Sequence, residues 1–183
     1  RRRWTVPVLA GYLAGMVLLM LLPFLAVAPS VVLVGYLAIA HGLLWGIAGV
    51  LPAAPIYVLM TCLVLIVAKR AVVPRFEPGI YPARGWFGVR EWVSKDIAAL
   101  SVALIRTIYC TLYVIPFLRG LGLRIGRWCE IAVPAYIDPD MTVTGDQTFL
   151  AAAVTISPPV YHHGRIAMNV AEIPDRKAIS LTP

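Results

Sequence analysis

Two hydrophobic patterns of different period divide the chain. Residues 4–68 carry no Asp, Glu, Lys or Arg and run almost unbroken through aliphatic and aromatic side chains. That stretch is too long and too apolar for a core element of a soluble domain, and it predicts membrane-embedded helix. The last third has another rhythm. Ile125, Ile131 and Ile137 stand six apart, Thr144, Leu150 and Ile156 resume the spacing after one extra residue, and Ile173 and Ile179 close it after a long interval. A six-residue period predicts a left-handed parallel β-helix, in which each side of each turn sends one small aliphatic side chain into a narrow core.

The membrane part parses by its prolines and flanking charges. Residues 4–28 suffice for one span, Pro29 and Ser30 read as a turn, and residues 31–68 form a second apolar stretch interrupted by Pro52 and Pro55. That second stretch is either one kinked, tilted helix or two short spans. Arg1, Arg2 and Arg3 precede the block, and Lys69, Arg70 and Arg75 follow it. The positive-inside tendency places both clusters in the cytoplasm, so the number of crossings is even, and two are expected. A cleaved signal peptide would have a much shorter apolar region and no membrane segment after it. The chain starts without a methionine and stops at Pro183, just inside a new turn of the coil, so it is expected to be a piece of a longer polypeptide.

Beyond residue 70 the composition shifts to Pro, Gly, Arg and aromatics. Pro74, Pro78 and Pro82 prevent a continuous helix, and the interleaved Arg75, Phe76, Tyr81 and Trp86 suit a membrane interface, so this stretch reads as a docking linker. Residues 89–115 turn helical, with Glu91 four before Lys95 and with Ile97, Leu100, Leu104, Ile108 and Leu112 on one face. Arg106 argues against a further span, which leaves an amphipathic helix lying on the bilayer or on the coil and ended by Pro116. Gly126 after Ile125 and Gly145 after Thr144 are read as corners that need a permissive backbone. The expected organisation is a transmembrane region over 1–70, a linker and amphipathic helix over 71–120, and a hexapeptide-repeat β-helix over 121–183 that is incomplete at its C-terminus.

Charge and chemistry sharpen this picture only in places. The net charge of +7 is mostly juxtamembrane, which suits anionic lipid heads better than nucleic acid. Cys62, Cys110 and Cys129 form no C-x-x-C pair, so the soluble part is expected to face a reducing cytoplasm. His162 and His163 lie in the long interval before Ile173, where acyltransferases built on such a coil keep a general base. They read either as that base or as solvent-facing loop histidines beside Tyr161. The HHxxxDG motif of condensation enzymes does not extend from them, because Ala167 and Met168 occupy its last two places. Asp138, Asp140 and Asp146 are read as corner residues rather than metal ligands. His41, inside the apolar block, reads as part of a proton path or as a neutral group bonded to a helix carbonyl. No phosphate-binding glycine loop or nucleophile elbow is present, so no cofactor or metal is assigned to this segment.

The order of these parts carries a family resemblance. Paired spans are followed by Arg75-x-x-Pro78-Gly79-x-Tyr81-Pro82, then by Trp86 to Trp92 opening a helix, then by Leu121-Gly122-x-x-Ile125-Gly126 entering the coil. This resembles the C-terminal membrane region of nonribosomal peptide synthetases of the ε-poly-lysine synthetase type. The resemblance implies an adenylation domain using ATP, a phosphopantetheine carrier domain and sibling tandem domains as partners elsewhere in the full-length protein. It implies that this segment anchors the enzyme in the cell membrane and helps join amino-acid monomers delivered as thioesters. Thr144 and Pro174 depart from the coil pattern. Two other readings share the features: a membrane-tethered hexapeptide acyltransferase using an acyl-CoA, and a non-catalytic scaffold or export component. Oligomeric state is left open.

Overall fold

The computed structural model describes residues 6–73, 75–156 and 158–179; Arg1 to Trp4, Pro74 and Pro183, named above, lie outside them. Two helices, α1 (Val6–His41) and α2 (Leu43–Val72), are long and apolar enough to cross a membrane. At 1.5 Å per residue they extend about 54 and 45 Å, more than a hydrocarbon core of about 30 Å needs. Helix α1 runs straight through Pro29 and Ser30, so the turn expected there does not form. The chain reverses at Gly42, whose φ of 94° favours a residue without Cβ. The Ser30 hydroxyl instead donates to the Ala53 carbonyl on the returning helix, at 3.0 Å. Small residues let the two helices approach closely: a Cβ on Gly46 would stand 2.7 Å from that of Ala38.

The middle region is ordered differently from the expected linker and single long helix. Strand β1 (Gly79–Pro82) precedes α3 (Trp86–Ile105), which gives way to a 3-10 turn at Arg106–Ile108 and then to α4 (Val114–Leu121). Pro116 sits in the first turn of α4, where its missing N–H costs nothing, so it helps start a helix rather than end one. The buried stripe of α3 is Glu91, Ser94, Ile97, Ser101 and Ile105. The expected face through Leu100 and Leu104 is only half-buried, because α3 has two apolar flanks. Leu100 and Trp92 line an apolar groove with Met16 and Leu19 of α1 on the other side.

The ladder residues behave as one inward set. The strands β2 (Arg124–Ile125), β3 (Glu130–Ile131), β4 (Tyr136–Ile137), β5 (Thr142–Thr144), β6 (Phe149–Leu150), β7 (Thr155–Ile156), β10 (Ala171–Ile173) and β11 (Ala178–Ile179) form three small parallel sheets, ordered β10-β5-β2, β11-β6-β3 and β4-β7. Ile125 pairs with Thr144 and Thr144 with Ile173, Ile131 with Leu150 and Leu150 with Ile179, and Ile137 with Ile156. All but Ile179 are buried. Thr144 keeps its hydroxyl in this row beside the Cys129 sulfur.

The glycines that follow the inward residues do a different job from the one expected. Gly126 and Gly145 are not in the left-handed region; that conformation falls two residues later, at Trp128, Gln147 and Arg176, with φ of 56–57°. What the glycines permit is close stacking. A Cβ on Gly145 would meet the Asp175 amide nitrogen at 2.6 Å, and one on Gly126 would press on the Gly145 carbonyl. Beside them Asp146 Oδ1 accepts from the Arg127 amide at 2.6 Å, and Asp175 Oδ1 accepts from the Asp146 amide at 2.7 Å. Carbonyls at the β2 and β3 edges of these sheets are capped: Arg119 donates to Ile125 and Gly126, and the Cys110 amide donates to Ile131.

Candidate functional site

The site grows out of an insertion in the repeat. Successive partners in one sheet lie 19 residues apart from Ile125 to Thr144 but 29 apart from Thr144 to Ile173, and most of the excess is the hairpin β8 (Val160–His162) and β9 (Arg165–Met168). Its two-residue turn, His163 and Gly164, has positive φ at both positions, as a primed hairpin turn requires. Strand β9 also pairs antiparallel with β1, so the Pro-Gly-x-Tyr-Pro stretch, read as a docking linker, is an edge strand of a three-stranded sheet. Tyr81 stacks on Phe87 at 3.8 Å, and Phe76 packs on Phe87 at 5.0 Å.

This arrangement separates the predicted histidines from the buried polar groups. His162 and His163 are exposed, with their rings edge to face at 4.0 Å, and His163 borders an open depression with Arg84 and Arg165. The neighbouring Tyr161 reaches the other way, donating from its hydroxyl to Glu91 Oε2 at 2.7 Å. Glu91 is 4% exposed, and its Oε1 has no hydrogen-bond partner. Burial raises its carboxyl above the usual range, against the lowering influence of Tyr161 and Lys95. Burial pushes the phenol of Tyr136 on β4 well up, and the negative charges of Asp138 and Glu91, within electrostatic reach, add to it. Asp138 is 3% exposed; burial raises it to about 6, although the amides of Asp140 and Met141 donate to its Oδ1 at 2.9 and 3.2 Å.

Asp140 belongs to a second buried feature. Its Oδ2 meets the Lys69 ammonium at 2.5 Å, with both side chains almost wholly buried, and its Oδ1 is unpartnered. Lys69 is therefore spent inside the protein rather than on lipid head groups, and Arg70 donates to the Gly120 carbonyl at 3.0 Å. Asp138 and Asp140 are corner residues with an added role, while Asp146 serves the stacking described above. Among the described residues no group of three His, Cys, Asp or Glu side chains is placed to share a metal ion. His41 lies exposed at the end of α1, 6.0 Å from the Trp45 ring.

Between α3, α4 and residues 134–139 lies an apolar cavity of about 110 Å³, with Tyr136, Lys95 and the Ser101–Tyr109 hydrogen-bonded pair in its wall. Sequence reasoning paired Glu91 with Lys95 on a helix surface and so missed its inward position. The signal was there in the spacing Glu91, Ser94, Ile97, Ser101, Ile105, a helical stripe with polar members.

Fold and site together define a protein with a long apolar helix pair joined to short parallel strands that repeat through a common inward residue, with a buried carboxylate and tyrosine cluster at the join. No protein-family model matches the chain, and no solved structure matches it. It is similar to the delta-poly-L-ornithine synthetase of Acinetobacter baumannii (strain AB307-0294), with 24% identity over 129 residues. The match covers 70% of this chain and 10% of that protein, so the chain spans about a tenth of the relative's length.

Proposed function

We propose that the chain is the membrane anchor and one soluble domain of a nonribosomal poly-amino-acid synthetase, taking part in amide-bond formation between amino-acid monomers delivered as carrier-bound thioesters. The observation that carries this reading is the similarity to the poly-ornithine synthetase over most of the chain. The paired apolar helices and the six-residue ladder support it, because both belong to the order of parts that resembles the synthetase type. In this reading the three parallel sheets are the faces of a left-handed β-helix, and the soluble part lies at the cytoplasmic face of the cell membrane. ATP acts at an adenylation domain elsewhere in the full-length protein, and a carrier's phosphopantetheine supplies the thioester. His162 and His163, exposed on the inserted hairpin, are the candidate base for the attacking amine.

The test uses the full-length protein in membranes with ATP and labelled amino acids, following carrier loading and polymer formation separately. Removal of residues 6–179 is expected to leave loading intact and abolish polymer. Polymer formed without the segment, or a full-length protein lacking any adenylation activity, would overturn the reading. His162→Ala with His163→Ala is expected to lower polymer formation at least tenfold, and undiminished activity would remove the histidines from the mechanism.

A further inference from the structure

The open depression beside the inserted hairpin gathers basic side chains from two distant parts of the chain. Arg84, Arg165 and His163 all line it, together with Ile80 and Pro82, in a space of about 800 Å³. No Asp or Glu is among its described lining residues. Backbone pairing, rather than attraction between the side chains, brings them together. Arg165 stands opposite Pro82 in the β1-β9 pair and opposite His162 in the β8-β9 pair, and the Ala83 amide donates to the Gly164 carbonyl at 3.0 Å. The stack of Tyr81 on Phe87 fixes this sheet against the first turn of α3, which opens two residues after Arg84 and has neither a side-chain cap nor an acidic residue. Like charges held at one rim repel, and an anion between them relieves that repulsion.

The side chains at the rim select an oxyanion. Guanidinium groups present planar forks that match two oxygens of a carboxylate or a phosphate. Arg84, Arg165 and His163 are exposed, so a ligand reaches them without disturbing buried structure. Ile80, 68% exposed, and Pro82 offer an apolar surface to the ligand's carbon atoms. Which oxyanion belongs there follows from the histidines on the same turn, the candidate base for an attacking amine. A monomer delivered as a thioester has its carboxyl carbon bonded to sulfur. A free carboxylate therefore belongs to the other reactant, the one whose amine attacks. Cations beside that amine disfavour its protonated form, which has no lone pair to attack with, and an imidazole at the same rim is placed to take the remaining proton.

We propose that Arg84 and Arg165, with His163 beside them, form a binding site for the carboxylate of an amino acid. The oxyanion site stands on the lining and the strand pairing alone. Its assignment to the acceptor amino acid rests on the synthetase reading above.

The experiment uses the full-length protein in detergent micelles and reads phenylglyoxal modification arginine by arginine from peptide masses. Glycine is the probe, because it carries only what all α-amino acids share. Glycinamide keeps the ammonium without the carboxylate, and inorganic phosphate is the competing oxyanion. Glycine is expected to slow modification of Arg84 and Arg165 saturably and several-fold relative to Arg106 and Arg124, which are exposed outside the depression, and glycinamide should not. Loss of one charge-assisted contact in Arg165→Gln should raise the glycine concentration that half-protects Arg84 by about tenfold or more. The same variant should raise the KM for the acceptor amino acid in polymer formation and leave carrier loading unchanged. No protection by glycine, equal protection by glycinamide, protection by phosphate alone, or half-protection of Arg84 unchanged by Arg165→Gln would overturn the site. Protection in a protein that loads no carrier keeps the site and sinks the synthetase reading, whereas loading and polymer formation without protection sink the site alone.

Discussion

Replacing Lys69 with methionine tests what fastens the helix pair to the sheets. Methionine keeps most of the apolar stem and removes only the charge, so the change isolates the ion pair. The Lys69 ammonium and Asp140 carboxylate are 2.5 Å apart, with side chains 3% and 2% exposed. Without Lys69, Asp140 retains a 3.4 Å contact from the Phe76 amide on Oδ2 and still has nothing on Oδ1. Breaking one side of such a buried pair costs about 3–5 kcal/mol, because the other charge stays buried. For a chain of this size each kcal/mol lowers the melting temperature by about 2–4 °C, so a fall of about 6–20 °C is expected in detergent micelles. Asp140→Asn should cost a similar amount. The double variant Lys69→Met with Asp140→Asn should recover more than half of the loss, since no unpaired charge remains, giving a coupling of about 2 kcal/mol or more. A fall of under 3 °C for Lys69→Met, or a double variant no better than the singles, would refute the reasoning.

Other consequences follow from the same geometry. Asp138 binds its proton more tightly folded, at about 6, than unfolded, at 3.8, so stability is fullest below pH 4 as far as this group is concerned and falls as pH rises through 6. The loss is roughly 3 kcal/mol between those limits, Glu91 adds to it in the same direction, and Asp138→Asn should flatten the slope in melts from pH 4.5 to 7.5. Gly145→Ala forces a methyl against the Asp175 backbone and should cost about 1–3 kcal/mol, read as a lower melting temperature. Gly35→Ala, at a position with nothing within 4 Å of the added carbon, should leave the melt unchanged or slightly higher, and a loss there would argue against the exposed placement of that helix face.

Local pattern revealed what local forces decide. The absence of charge over residues 4–68 announced the two long helices, and the six-residue spacing picked out Ile125, Ile131, Ile137, Leu150, Ile156 and Ile173, all of them buried. The turn between the helices was misplaced because proline is tolerated inside a long apolar helix, while Gly42 alone offered the required φ. The inward face of α3 was misjudged because the helix is packed on two sides, so its most apolar stripe is not its most buried one. The cluster itself was hidden by distance along the chain. Tyr161 reaches Glu91 across 70 residues and Lys69 reaches Asp140 across 71, and no periodicity spans such gaps.

The aspartates between stacked strands have a consequence for how this chain could lengthen. Asp146 serves the amide of Arg127, and Asp175 serves the amide of Asp146, so each repeat carries the acceptor for the one before it and offers a donor to the one after. A unit copied whole would bring its own acceptor and its own donor, and neither junction would be left with an unmet group. Growth or shrinkage by complete 19-residue cassettes therefore leaves the bonding at every seam intact, whereas a cassette cut short strands one amide at each break.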